Sequence, residues 1–174
     1  MKRLAGITVV LFLLCYFGQD INAQNLKFGH INSDELIQAL PEFDSANVKL
    51  EKFRQELINA LELMQVELNN KSEAYNKDAK NLTEIVRQTK EQELMDMNRR
   101  IQEFQSTAQQ QLQEKQAELF QPIMAKIDKA IKDVGKENGF VYIYTVGQGS
   151  ALVYYDETKS TNIMPMAKAK LGIK

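Results

Sequence analysis

From Phe43 to Lys136 the chain carries no glycine before Gly135 and a single proline, Pro122. The stretch is built mainly of Glu, Lys, Gln, Leu, Ala, Asn and Met, most of them strong helix formers. Its apolar residues recur at helical spacing. Phe43, Ala46, Leu50, Phe53, Leu57, Ala60 and Met64 alternate steps of three and four, as do Leu94, Met97, Ile101, Phe104 and Ala108. Leu119, Ile123, Ile127, Ala130 and Val134 nearly do so. That pattern is the seam of a coiled coil, in which one apolar stripe faces a partner helix.

A single unbroken helix of this length would extend about 140 Å at 1.5 Å per residue. The stripe argues for two helices instead. Between Leu68 and Leu94 it thins to Tyr75, Ala79, Leu82, Ile85 and Val86 and slips in phase. Asn81 or Thr83 can cap a new helix there, with Glu84 near its positively polarised start. The expectation is an antiparallel hairpin over residues 43–137 with its tip near 80–84. A continuous helix is the alternative. Pro122 removes one backbone hydrogen bond and is expected to bend the second arm where it enters a separate body.

The flanks supply that body. Residues 26–31 read as a short strand, followed by a helix from Asp34 to Leu40 capped by Ser33 and ended before Pro41. Asp44 or Ser45 is expected to cap the first arm. Beyond Gly135, Asn138 and Gly139, the residues 140–145 are β-branched and aromatic. Gly147-Gln148-Gly149-Ser150 then reads as the turn of a β-hairpin whose second strand is 151–155. Ile163–Leu171 reads as a terminal helix with Pro165 in its first turn and Gly172 at its end. The fold class is therefore mainly α, a long helical hairpin projecting from a small β body formed by residues 24–42 and 138–174. A body of about 50–60 residues rarely buries enough apolar surface alone. Strands apolar on both faces add to that argument, and oligomerisation through the sheet is expected. The residues assigned to the shared body are Phe28, Ile31, Val141, Ile143, Leu152 and Val153.

The first 23 residues belong to another class. Lys2 and Arg3 precede an apolar run, Ile7–Phe17, and Ile21-Asn22-Ala23 ends in a small residue. This is the pattern of a cleaved secretory signal, which points to a protein acting outside the cytoplasm. Cleavage would remove Cys15, the one cysteine, and with it every disulfide, thiol nucleophile and thiolate ligand.

Catalysis needs a positioned nucleophile, base or metal. His30 is the one histidine, and no HExxH or phosphate-binding glycine loop is present. Neither enzyme activity nor a cofactor or metal is expected. Nucleic-acid binding is disfavoured too, because residues 43–137 mix 15 basic with 17 acidic residues rather than presenting a basic stripe. What remains is surface. Val48, Ile58, Leu61, Leu63 and Val66 on the first arm, and Met95 and Leu112 on the second, fall outside the best seam. Methionine suits surfaces that meet many sequences. Met64, Val66, Leu68, Tyr75, Met95 and Met97 are the candidate contacts for such partners.

In order and character the chain resembles the Skp/OmpH family of periplasmic chaperones. The resemblance rests on the signal, Lys27-Phe28-Gly29-His30-Ile31-Asn32, Leu40-Pro41-Glu42, the charged hairpin and the segments 140–144 and 151–155. It implies a homotrimer in the periplasm whose strands build a shared β-barrel-like body. Three helical arms would then enclose unfolded outer-membrane protein precursors without nucleotide. One departure matters. Familiar members have markedly basic arms, whereas removing Lys2, Arg3 and Asp20 here leaves 20 basic and 22 acidic residues, a formal net of −2. A lipopolysaccharide site is therefore not carried over, and charge does not support contact with a membrane surface. A different class of reading is a structural coiled-coil spacer or adaptor of the cell envelope.

Overall fold

The computed structural model describes residues 26–147 and 149–173. The expected signal over residues 1–23 lies outside them. The chain runs β1 (Lys27–Ile31), α1 (Ser33–Gln38), α2 (Pro41–Asp78), a 3₁₀ turn (Ala79–Asn81), α3 (Glu84–Asn138), β2 (Phe140–Thr145), β3 (Ser160–Asn162) and α4 (Met164–Leu171). At 1.5 Å per residue, α2 is about 57 Å long and α3 about 83 Å.

The helical stretch is divided at its thinnest point. Thr83 caps α3, its Oγ1 accepting from the Val86 N–H. The 3₁₀ turn carries the chain across. The two helices pack along their length, with Phe43 edge-on to Phe120 at the base (5.5 Å between ring centroids) and Tyr75 donating to Glu91 near the tip. α3 passes through Pro122 as one helix and ends at Gly139, whose φ of 69° is the left-handed conformation that glycine adopts without penalty. Gly135 lies inside this helix rather than ending it.

Two expected caps move by a few residues. Asn32, not Ser33, caps α1, its Oδ1 accepting from the Glu35 N–H at 3.2 Å. Neither Asp44 nor Ser45 caps α2. That helix starts at Pro41, whose fixed φ and missing N–H suit a first helical position, and the Ser45 hydroxyl donates to the Pro41 carbonyl.

The expected β-hairpin is absent. Residues 151–155 form no strand, and the sheet order is β2-β1-β3 with both neighbours parallel to β1. A parallel strand cannot follow a tight turn; the chain must first travel back along the sheet. Residues 149–159 lead along that return. Ser150 Oγ donates to the Thr145 carbonyl at 2.6 Å as the segment leaves β2. At its far end Asp156 Oδ1 accepts from the N–H and hydroxyl of Thr158, reversing the chain into β3. The apolar character of Leu152 and Tyr155 therefore serves to cover a sheet face, not to pair with a neighbour.

The other face of the sheet meets the helices. Ile31, Leu36, Leu40, Ala46, Ile123, Ile127, Val134, Ile163, Met164 and Ala167 form one buried cluster, so the proximal third of α3 belongs to the body core. Gly29 sits at its centre with little room to spare. A Cβ there would lie 3.0 Å from Ile163 Cγ2, 3.1 Å from Ile143 Cγ1 and 3.2 Å from Phe140.

Candidate functional site

The arms are held very differently along their length. Near the body, Glu42 and Lys126 form an ion pair between α2 and α3, and the Lys126 hydrogen bond holds the Glu42 carboxyl below the usual glutamate range. Further out, no side chain from Asn47 to Asp96 is fully buried. The seam positions Leu57, Ala60, Met64, Leu68, Tyr75 and Leu94 are only half-buried. Charges on the outer faces pair within each helix, as in Arg54–Glu51, Lys71–Glu67 and Arg99–Asp96, all well exposed and each worth little stability. Arg99 thus belongs to a solvated helix face.

Apolar side chains stay in water along both arms. Val48, Leu63 and Val66 are exposed on the side of α2 turned away from the seam, and Ile85, Met95 and Met124 are exposed on α3. Midway, Leu57, Ile58 and Leu61 of α2 with Phe104, Ala108 and Leu112 of α3 line an apolar groove of about 300 Å³. This groove was missed among the candidate contacts, although Ile58, Leu61 and Leu112 were already recognisable as off-seam residues.

In the body the outer sheet face is aromatic. Phe28 stacks on Tyr142 with parallel rings, Tyr142 continues to Tyr144, and Tyr155 of the returning segment lies against His30 with ring centroids 4.6 Å apart. His30 Nδ1 is 2.9 Å from Ser160 Oγ, so the one histidine is a packed residue of the sheet. Phe28, Tyr144, Leu152, Tyr154, Tyr155 and their neighbours frame an open cavity of about 250 Å³. The alternation of Tyr142 and Tyr144 was the signal for this face.

The residues singled out from sequence are scattered over these surfaces. Phe28 and Leu152 are half-buried on the outer face, and Val153 is fully exposed (100%) at the crest of the returning segment. Val141 is 46% exposed at an irregularity between β1 and β2, where Lys27 pairs with Phe140 but Phe28 with Tyr142. Two of the residues assigned to the body lie in its interior. Ile31, 1% exposed, is sealed inside its own chain, and Ile143 turns inward against Gly29 and Gly135. Of the candidate arm contacts, Val66 and Met95 are exposed, while Met64, Leu68 and Tyr75 sit half-buried in the seam. Met97, at 4% exposure, packs between the arms in this chain.

Among the described residues no group of His, Cys, Asp and Glu is placed to hold a metal ion, and no helix is long and apolar enough to cross a membrane. The arrangement defines a class: a small sheet-and-helix body carrying a long helical hairpin with apolar side chains displayed along it. The chain belongs to the OmpH-like outer membrane protein family, whose model matches residues 27–171. That family is one of chaperones rather than enzymes, and it implies a periplasmic chaperone of outer-membrane proteins. No curated protein matches the chain in a direct sequence comparison.

Proposed function

We propose that this protein is an ATP-independent holdase, secreted through a cleaved signal over residues 1–23, that keeps unfolded outer-membrane proteins from aggregating in the periplasm. Three copies would share a body through the outer sheet face and the open strand edges. Their arms would then surround one client. The observation that carries the reading is the row of exposed apolar side chains on arms of an OmpH-like chain, with no fully buried residue between Ala46 and Met97. Each contact with a client is weak. Enclosure raises the effective concentration of the others, so the sum retains an unfolded chain without imposing a conformation on it. Arms with so few buried contacts open locally at little cost, which lets the cavity fit clients of different size.

The body supports association on two counts. Among the described residues the three-stranded sheet ends in unpaired edges at β2 and β3, templates for pairing with another chain. Its outer face is aromatic and only partly covered. Because the mature charge is close to neutral, clients would be retained by apolar contact rather than drawn in from a distance.

Dilution of a urea-unfolded outer-membrane barrel into the purified mature protein tests this directly. Light scattering should stay near baseline at one trimer per client, and adding 0.15 M salt should change that little, since screening acts on charge and not on apolar contact. Scattering equal to that of the client alone would refute the holdase. Capture of one stoichiometric envelope partner instead of many precursors would favour the spacer.

A further inference from the structure

The outer halves of the arms lack a buried core, yet α2 and α3 remain in contact near their tip. From Asn47 to Asp96 nothing is fully buried, and the side chains next to the turn are small or half-exposed: Ala74, Ala79, Leu82 and Leu94. The packing is incomplete as well. A gap of about 110 Å³ lies beside Tyr75, framed by Lys71, Ala74, Lys90, Glu93 and Leu94. Apolar burial of this quality gives the two helices little reason to keep one register.

One polar contact spans this region. The Tyr75 hydroxyl on α2 donates to Glu91 Oε1 on α3. Glu91 is itself positioned from its own helix, 3.8 Å from Arg87 Nη1, and Arg87 is held by both carboxylate oxygens of Glu84 at 2.6 and 2.8 Å. Glu84 opens α3 directly after the Thr83 cap. A continuous chain of polar contacts therefore links the cap of α3, through Glu84, Arg87 and Glu91, to a side chain on the opposite arm.

We propose that Tyr75 and Glu91 form a latch that fixes the tip of the hairpin, and that releasing it frees the last turns of both arms while the body stays folded. The aromatic ring fills part of the imperfect seam, and the hydroxyl sets the register. Opening would bring Ala79, Leu82 and Leu94 into contact with solvent, adding apolar surface at the tip. The latch rests on contacts within one chain and does not depend on the chaperone reading, so either can fail without the other.

Hydrogen–deuterium exchange on the intact mature protein tests it without any client. Tyr75→Phe keeps the ring and removes only the hydroxyl. Amides in residues 76–90 should then exchange about three- to tenfold faster, the range set by loss of one hydrogen bond. Peptides at the arm base, over residues 41–56 and 115–134, should be unchanged. Glu91→Gln retains an acceptor but loses the charge that strengthens the bond and pairs with Arg87, so its tip should exchange at a rate between those of the parent and Tyr75→Phe. Parental exchange at the tip of Tyr75→Phe would overturn the latch, and so would an equal acceleration along the whole arm.

Discussion

Placing aspartate at Ile163 is expected to abolish cooperative folding of the body. Ile163 is fully buried at the start of α4, its N–H donates to the His30 carbonyl at 3.0 Å, and its Cγ2 closes over Gly29. It therefore ties α4, β1 and the core together. An unpaired carboxylate in that position costs several kcal/mol, a large share of the about 5–15 kcal/mol that holds a domain of ordinary stability. Thermal melting by circular dichroism should show the body transition lost in Ile163→Asp. In Ile163→Val it should be merely lowered, at a cost of about 0.5–1.5 kcal/mol. A melting curve for the aspartate variant within a few degrees of the parent would mean that the core is not where the structure puts it.

The second large effect is expected at Tyr142, on the opposite side of the same sheet. Its ring is exposed in the single chain and lies between Phe28 and Tyr144. A charge there meets water as long as the chain is alone. If neighbouring copies cover this face, the same charge is buried against aromatic rings, and association is lost. Tyr142→Asp should therefore lose the assembled particle in size-exclusion chromatography, whereas Tyr142→Phe should keep it. An aspartate variant that elutes with the parent would show that copies do not meet on this face. From sequence, Val141 and Ile143 were both assigned to the shared body. The structure separates them: Val141 is half in solvent, but Ile143 packs on Gly29 and Gly135, so a charge at Ile143 breaks the fold before it can report on assembly.

The arms were legible in the sequence because their information is local. The three-four stepping from Phe43 onward, the loss of phase after Leu68, the cap at Thr83 and the left-handed glycines Gly139 and Gly172 each act within a few residues. The sheet was less legible because its pairing depends on residues far apart in the chain. Leu152, Val153, Tyr154 and Tyr155 have the composition of a strand, yet they belong to a segment crossing the face of a parallel sheet. Strands and covering segments draw on the same apolar residues. The real third strand, Ser160–Asn162, is short and polar, and its backbone pairing with Phe28, Gly29 and His30 leaves no apolar signature.

A similar ambiguity limited the candidate contacts on the arms. Met97 inside the seam and Met95 outside it were separable by their spacing, but the position of α2 shows how completely Met97 is covered, at 4% exposure against 62% for Met95. The mid-arm groove needs both helices in register before Leu57, Phe104 and Leu112 can be seen as one surface. Ile31 was recognised as a body residue, but not as one enclosed by α1 and α4 of its own chain.

The proposed cage depends on several copies completing one body, and multi-angle light scattering on the chain from Gln24 onward measures that number directly. Three copies in each particle, unchanged on dilution through the micromolar range, is the expected result. A single folded copy would contradict the shared body and leave the arms with nothing to enclose.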